Sequence, residues 1–174
     1  MEPSPVSGFE AKRPPAGSDS VVLYTTSLRA VRSTFQGCGS VRRLLQSLGV
    51  AFEERDVSMH LEFREELWRA AGRRVVPPWL FVKGRLVGGA DAVVGLHEQG
   101  KLRGLLEGMP APPGGCRNGV CEGCGGARFV VCGACGGGCK VFAEGGGDSV
   151  GARCSVCNEN GLVRCPLCLL FLNK

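Results

Sequence analysis

The sequence predicts two units in tandem: an α/β domain built on a mixed sheet, then a small Gly- and Cys-rich metal-binding β-hairpin domain. Three observations carry this. Residues 21–108 alternate strand-like apolar runs with amphipathic stretches. Residues 116–174 hold ten of the eleven cysteines, eight of them as four CxxC pairs. Between the two lies MPAPPGG (109–115), a Pro/Gly linker, and ahead of both lies a Pro-, Ser- and charge-rich tail (1–20) read as disordered.

In the first unit, VVLYTT (21–26) is a β-branched run that reads as a buried strand. Val41, Leu44, Leu45 and Leu48 recur at helical spacing, and Gly49 is a helix stop. AFEERDV (51–57) is a second strand. Leu61, Leu67, Trp68 and Ala71 mark a helix ending near Gly72. WLFV (79–82) and RLVGG (85–89) flank Lys83–Gly84, a hairpin signal, and Val93, Val94, Leu96, Leu102, Leu105 and Leu106 supply one or two closing helices. The order β-α-β-α-β-β-α gives a mixed sheet with helices on both faces, the order of the thioredoxin class.

The formal net charge is +5, but the basic residues are scattered among acidic ones, and aromatics are sparse. Neither a phosphate-tracking stripe nor a base-stacking surface is indicated, so no nucleic-acid partner is expected. No apolar run approaches the roughly 18–20 residues needed to cross a bilayer. The N-terminal stretch has no apolar core of a secretory signal, and its Glu2, Glu10 and Asp19 do not suit a transit peptide. The expected compartment is therefore reducing, the cytoplasm and also the nucleus, where CxxC pairs read as metal ligands rather than disulfides.

The pairs are Cys121/Cys124, Cys132/Cys135, Cys154/Cys157 and Cys165/Cys168. Two CxxC pairs supply four thiolates, the complement of one tetrahedral site, so eight cysteines imply two zinc ions. Seven residues separate the first pair from the second, seven the third from the fourth, and eighteen the second from the third. Equal arms suit an antiparallel ribbon of GGARFVV (125–131) with NENGLVR (158–164). That ribbon nests the pairs, Cys121 and Cys124 with Cys165 and Cys168, and Cys132 and Cys135 with Cys154 and Cys157. Sequential pairing would need a very short loop, and cross-bracing loses the symmetry. Cys116 and Cys139 fall outside the pairs, and EGGGDSVG (144–151) reads as a flexible tip.

The run CGSVRRLLQSLGV (38–50) resembles the stretch of glutaredoxins that starts at their second active-site cysteine, C-x-x-V-K-x-L-L-x-x-L-G-V. VPPWLFVKGRLVGGAD (76–91) is similar to the family's T-V-P-x-V-F-I-x-G-x-x-I-G-G-x-D. The resemblance implies a glutathione site: a cis-proline at Pro78 beside the active site, and a turn at Gly88, Gly89, Ala90 and Asp91 that holds the γ-glutamyl end on free N–H groups. It also implies that Arg32 takes the place of a lysine facing that site. The family's nucleophile precedes the second cysteine by three residues, and there the four positions read FQGC. Phe35 therefore stands where the nucleophile belongs, and any thiol chemistry would fall to Cys38, expected at a helix N-terminus where a thiol is made acidic. A shifted register would put Cys38 itself in the nucleophile position, as in single-cysteine glutaredoxins. LRAVRST is inserted beside the site. Pro77 replaces the residue whose N–H pairs with the peptide substrate, and it has no N–H to give.

The segments CEGCGGA, CGACGGG, CSVCNENG and CPLC resemble a degenerate DnaJ-type zinc domain, which uses the same nested pairing. The fusion of the two is similar to the glutaredoxin domain-containing cysteine-rich proteins, and TTSLR and ERDVSM resemble a plant member. Two functions follow as expectations: an adaptor for protein partners on a disabled glutaredoxin scaffold, or a glutathione-dependent oxidoreductase acting on protein thiols through Cys38.

Overall fold

The computed structural model describes residues 19–111, 121–142 and 151–172. The tail (1–18), residues 112–115 of the linker, Cys116 and residues 144–150 of the tip lie outside them, and with them the expectations stated for these segments. The chain forms two compact units, one carrying the four-stranded sheet and one the cysteine pairs. No helix among the described residues is long and apolar enough to cross a membrane.

The first unit runs β1 (Val21–Thr25), α1 (Arg32–Ser47), β2 (Glu53–Asp56), α2 (Leu61–Ala71), β3 (Trp79–Val82), β4 (Arg85–Gly88), α3 (Ala90–Glu98) and α4 (Lys101–Leu105). The sheet order is β2-β1-β3-β4. β1 pairs parallel with β2 and antiparallel with β3, Tyr24 opposite Trp79. Every residue of β1 is buried, as expected of a strand covered on both faces. Val21 and Leu23 join Val41 and Leu45 of α1, Leu80 and Val82 of β3, Val93 of α3 and Leu102 of α4 in one core. On the alternate positions Tyr24 meets Phe81 edge to face at 5.6 Å. The buried Arg55 is not left alone there: it pairs with Glu53 and Glu66, and the Tyr24 hydroxyl donates to Glu66. A buried guanidinium without such partners would be strongly destabilising.

The hairpin signal has a backbone cause. Lys83 and Gly84 take φ of 52° and 71°, the left-handed pair that a two-residue turn between twisted strands requires. The end of β1 and the start of β3 are register partners, so the β1–α1 loop and the loop ahead of Trp79 leave from one end of the sheet.

The second unit is made of ribbons. β5 (Phe129–Val131) pairs with β8 (Leu162–Arg164), Phe129 opposite Arg164. A further two-residue ribbon, β6 (Lys140–Val141) with β7 (Ala152–Arg153), lies beyond it, and α5 (Pro166–Leu172) closes the described chain. Neither of these was expected from the sequence.

Candidate functional site

The eight paired cysteines form two clusters. Cys121, Cys124, Cys165 and Cys168 make one, and Cys132, Cys135, Cys154 and Cys157 the other, with all Sγ atoms of a cluster within 4.8 Å of one another. The ribbon β5–β8 brings about the nested grouping, since it carries one cluster at each end. Each cluster repeats the other. Cys121 to Cys132 and Cys154 to Cys165 are both steps of eleven residues. Gly125 and Gly126 take φ of 59° and 88°, and Gly136 and Gly137 take 59° and 87°. Arg128 and Cys139 fill the equivalent left-handed positions at 65° and 58°. The amide of Cys165 donates to the Arg128 carbonyl, and that of Cys154 to the Cys139 carbonyl.

The distances suit a metal. Cys121 and Cys165 are 3.9 Å apart at sulfur, Cys124 and Cys168 3.6 Å, Cys132 and Cys154 3.9 Å, and Cys135 and Cys157 3.6 Å. Four thiolates on a tetrahedral zinc, with bonds of about 2.3 Å, have sulfur–sulfur edges of about 3.8 Å. A disulfide would need about 2.05 Å, and every described cysteine is a free thiol. Burial opposes a Cys121 thiolate, but the N–H groups of Cys124 and Gly123 and neighbouring thiols outweigh it and bring this thiol to about 7. The N–H groups of Val156 and Cys157 bring Cys154 to about 7 as well. Burial, and then competition from the other three thiols, pushes Cys157 the opposite way. Such a cluster holds one negative charge readily and needs a cation to hold four. The Arg128 amide donates to Cys124 Sγ at 3.2 Å, an outer hydrogen bond of the kind that fixes a metal ligand.

The first unit assembles the other candidate site. The Pro77–Pro78 bond is cis. Gly88 ends β4 at φ 135°, where a Cβ would lie 2.8 Å from that of Ala92, and Gly89 precedes α3, whose first residues are Ala90 and the exposed Asp91. A third element joins them. A Cβ on Gly37 would lie 3.3 Å from Ala90 Cβ and 3.4 Å from Pro78 Cδ, so α1 reaches the cis-proline and the α3 N-terminus because residue 37 has no side chain. Sequence reasoning passed over Gly37, although the glycine of FQGC was its visible signal.

The cysteine and its neighbours differ from expectation. α1 begins at Arg32, within the LRAVRST insertion, so Cys38 is the seventh residue of the helix and not at its N-terminus. The Phe35 amide already donates to the Val31 carbonyl. Cys38 is 1% exposed. Burial pushes its thiol above the ordinary value, against the smaller opposing effects of the Thr26 N–H and the Arg42 guanidinium. Arg32 is exposed on the first turn, while Arg29, from the same insertion, covers the Phe35 ring at 5.2 Å.

The family described as Glutaredoxin matches residues 21–87, and that described as GRXCR1/2, C-terminal domain, matches residues 121–169. The chain belongs to the glutaredoxin domain-containing cysteine-rich proteins. An uncharacterized protein of Arabidopsis thaliana is 39% identical over 95% of this chain and 46% of its own length. The human glutaredoxin domain-containing cysteine-rich protein 1 is 37% identical over 86% of this chain and 52% of its own. The chain thus spans about half the length of these relatives. Glutaredoxin 1 of Rickettsia felis is 35% identical over 42% of this chain and 72% of its own length.

Proposed function

We propose that this member is a protein-interaction and redox-regulatory scaffold: a glutaredoxin domain with a disabled active site, joined to a module stabilised by two zinc ions. One observation carries the reading. The nucleophile position holds Phe35, and the remaining thiol, Cys38, is sealed at 1% exposure inside α1. A thiolate must reach a disulfide sulfur to exchange, and a buried, weakly acidic thiol does neither.

The zinc ions would be held by the eight clustered thiolates, and zinc bound by four cysteines is structural, leaving no open position for a substrate. The eight-cysteine module would then present a fixed surface to protein partners in a reducing compartment, the cytoplasm or the nucleus. Glutathione would meet only part of its site. Pro78 and the Gly88–Asp91 turn offer backbone groups, but Pro77 has no N–H, and one lost hydrogen bond of about 0.5–1.5 kcal/mol weakens binding by up to about tenfold. The competing reading is thiol exchange through Cys38. It finds support in the Thr26 N–H and Arg42, which both favour the thiolate, and it requires α1 to open. A glutathione-dependent disulfide exchange assay on the unmodified chain and on Cys38→Ser separates the two: the scaffold reading expects negligible turnover from both.

A further inference from the structure

Two pairs of arginines in the first unit are held in different ways. Arg42 and Arg55 are spent on carboxylates inside the fold, Glu54 for the one and Glu53 and Glu66 for the other. Arg64 and Arg74 are exposed and have no carboxylate partner among the described residues. Both are instead held over one indole. The Arg64 guanidinium lies 5.4 Å and that of Arg74 5.2 Å from the Trp68 ring centre. Trp68 is itself fixed, its Nε1–H donating to the Val75 carbonyl at 3.1 Å. One residue on, Val76 is 65% exposed, a large apolar side chain in open solvent.

We infer that Arg64 and Arg74, braced on Trp68, form a docking surface for an acidic protein segment carrying an apolar side chain for Val76. Guanidinium groups are weakly hydrated and bind carboxylates through two parallel hydrogen bonds. Holding them on a ring before the partner arrives lowers the ordering cost of binding. Arg73, exposed beside Arg74, adds charge of the same sign. The arrangement does not suit nucleic acid. The indole face that would stack a base is covered by the guanidinium groups. The surface deepens the scaffold reading and rests on it, by naming the chemistry of one partner.

The test uses the zinc-loaded full chain and a fluorescein-labelled decapeptide of Asp and Glu with one central Leu, read by anisotropy at about 50 and 200 mM salt. The peptide should bind, and Arg64→Gln with Arg74→Gln should weaken it by about tenfold or more. Arg64→Lys with Arg74→Lys, which keeps the charge but not the fork, should weaken it by about threefold or more. Arg43→Gln with Arg103→Gln, removing equal charge elsewhere, should change it by less than about twofold. No binding, equal weakening by the Arg43/Arg103 pair, or tighter binding of a single-stranded oligonucleotide or of phosphatidylserine vesicles by the same arginines would overturn the proposal. The disulfide exchange assay on the same samples separates the two failures. An inert chain that ignores the peptide loses only this surface, whereas a fully active chain loses the scaffold reading.

Discussion

A Cβ placed on Gly161 would lie 2.1 Å from the carbonyl oxygen of Gly137. The two glycines pass backbone against backbone beside the inner cysteine cluster, and Gly161 sits at φ 71°, where a side chain is strained in any case. Its carbonyl accepts from the Cys132 amide at 2.9 Å, so a displaced residue 161 drags a ligand with it. Gly161→Ala should therefore release one of two zinc ions, from the cluster of Cys132, Cys135, Cys154 and Cys157, and destabilise the second unit by several kcal/mol. Native mass spectrometry before and after mild chelation reads this, and a variant retaining both ions as firmly as the parent contradicts it.

The nested grouping makes a pairwise prediction. Cys132→Ser and Cys154→Ser should each cost the same single ion, and combining them should cost no more. Cys121→Ser should couple in the same way with Cys165→Ser. Structural zinc in finger peptides is worth roughly 10–16 kcal/mol of apparent binding energy. A strong chelator should accordingly collapse the amide spectrum of the second unit and spare that of the first. Coupling between Cys121 and Cys132 would instead indicate sequential pairing.

Cys38 should resist alkylation. In native protein at neutral pH, iodoacetamide should leave it unmodified until denaturant is added, as intact mass and peptide mapping would show. The pH dependence has a definite sign. Burial holds this thiol above its ordinary value of 9.0, so the folded chain keeps the proton more tightly than the unfolded one. The resulting stability is fully present below the unfolded value and is lost as pH rises through the folded one. Cys38→Ala should flatten the fall in denaturation midpoint above about pH 9. Tyr24, whose hydroxyl is raised by burial and by Glu66, keeps its share of that fall in both proteins. An identical pH profile for the two would contradict the burial account.

Much of this was legible in the sequence, wherever one residue type had one physical use. Four CxxC pairs with equal arms announce two thiol clusters, Lys83–Gly84 is a turn, and the β-branched run from Val21 is a strand. The start of α1 was not legible. Val31 caps it without a side-chain hydrogen bond, and the insertion that forms its first turn carries no apolar period. That hid Cys38's distance from the helix end. β6 and β7 were hidden by their two-residue length. α5 was hidden because its apolar run, PLCLLFL, is interrupted by the clustered Cys168 and reads first as a metal knuckle. The bracing of Arg64 and Arg74 on Trp68 joins a helix to the loop after it, and no spacing in the sequence announces that.

The most direct test of the central claim is the turnover of a small mixed disulfide with glutathione by the unmodified chain, by Cys38→Ser and by Phe35→Cys. Phe35 lies in the first turn of α1, with its amide already bonded to Val31, so a thiol there gains only part of the acidity that a free helix end confers. The parent and Cys38→Ser should both turn over at background, and Phe35→Cys should rise by about tenfold or more, since the Gly88–Asp91 turn and the α3 N-terminus remain to position the substrate. Full glutaredoxin activity in the parent that disappears in Cys38→Ser would contradict the account and make Cys38 the nucleophile.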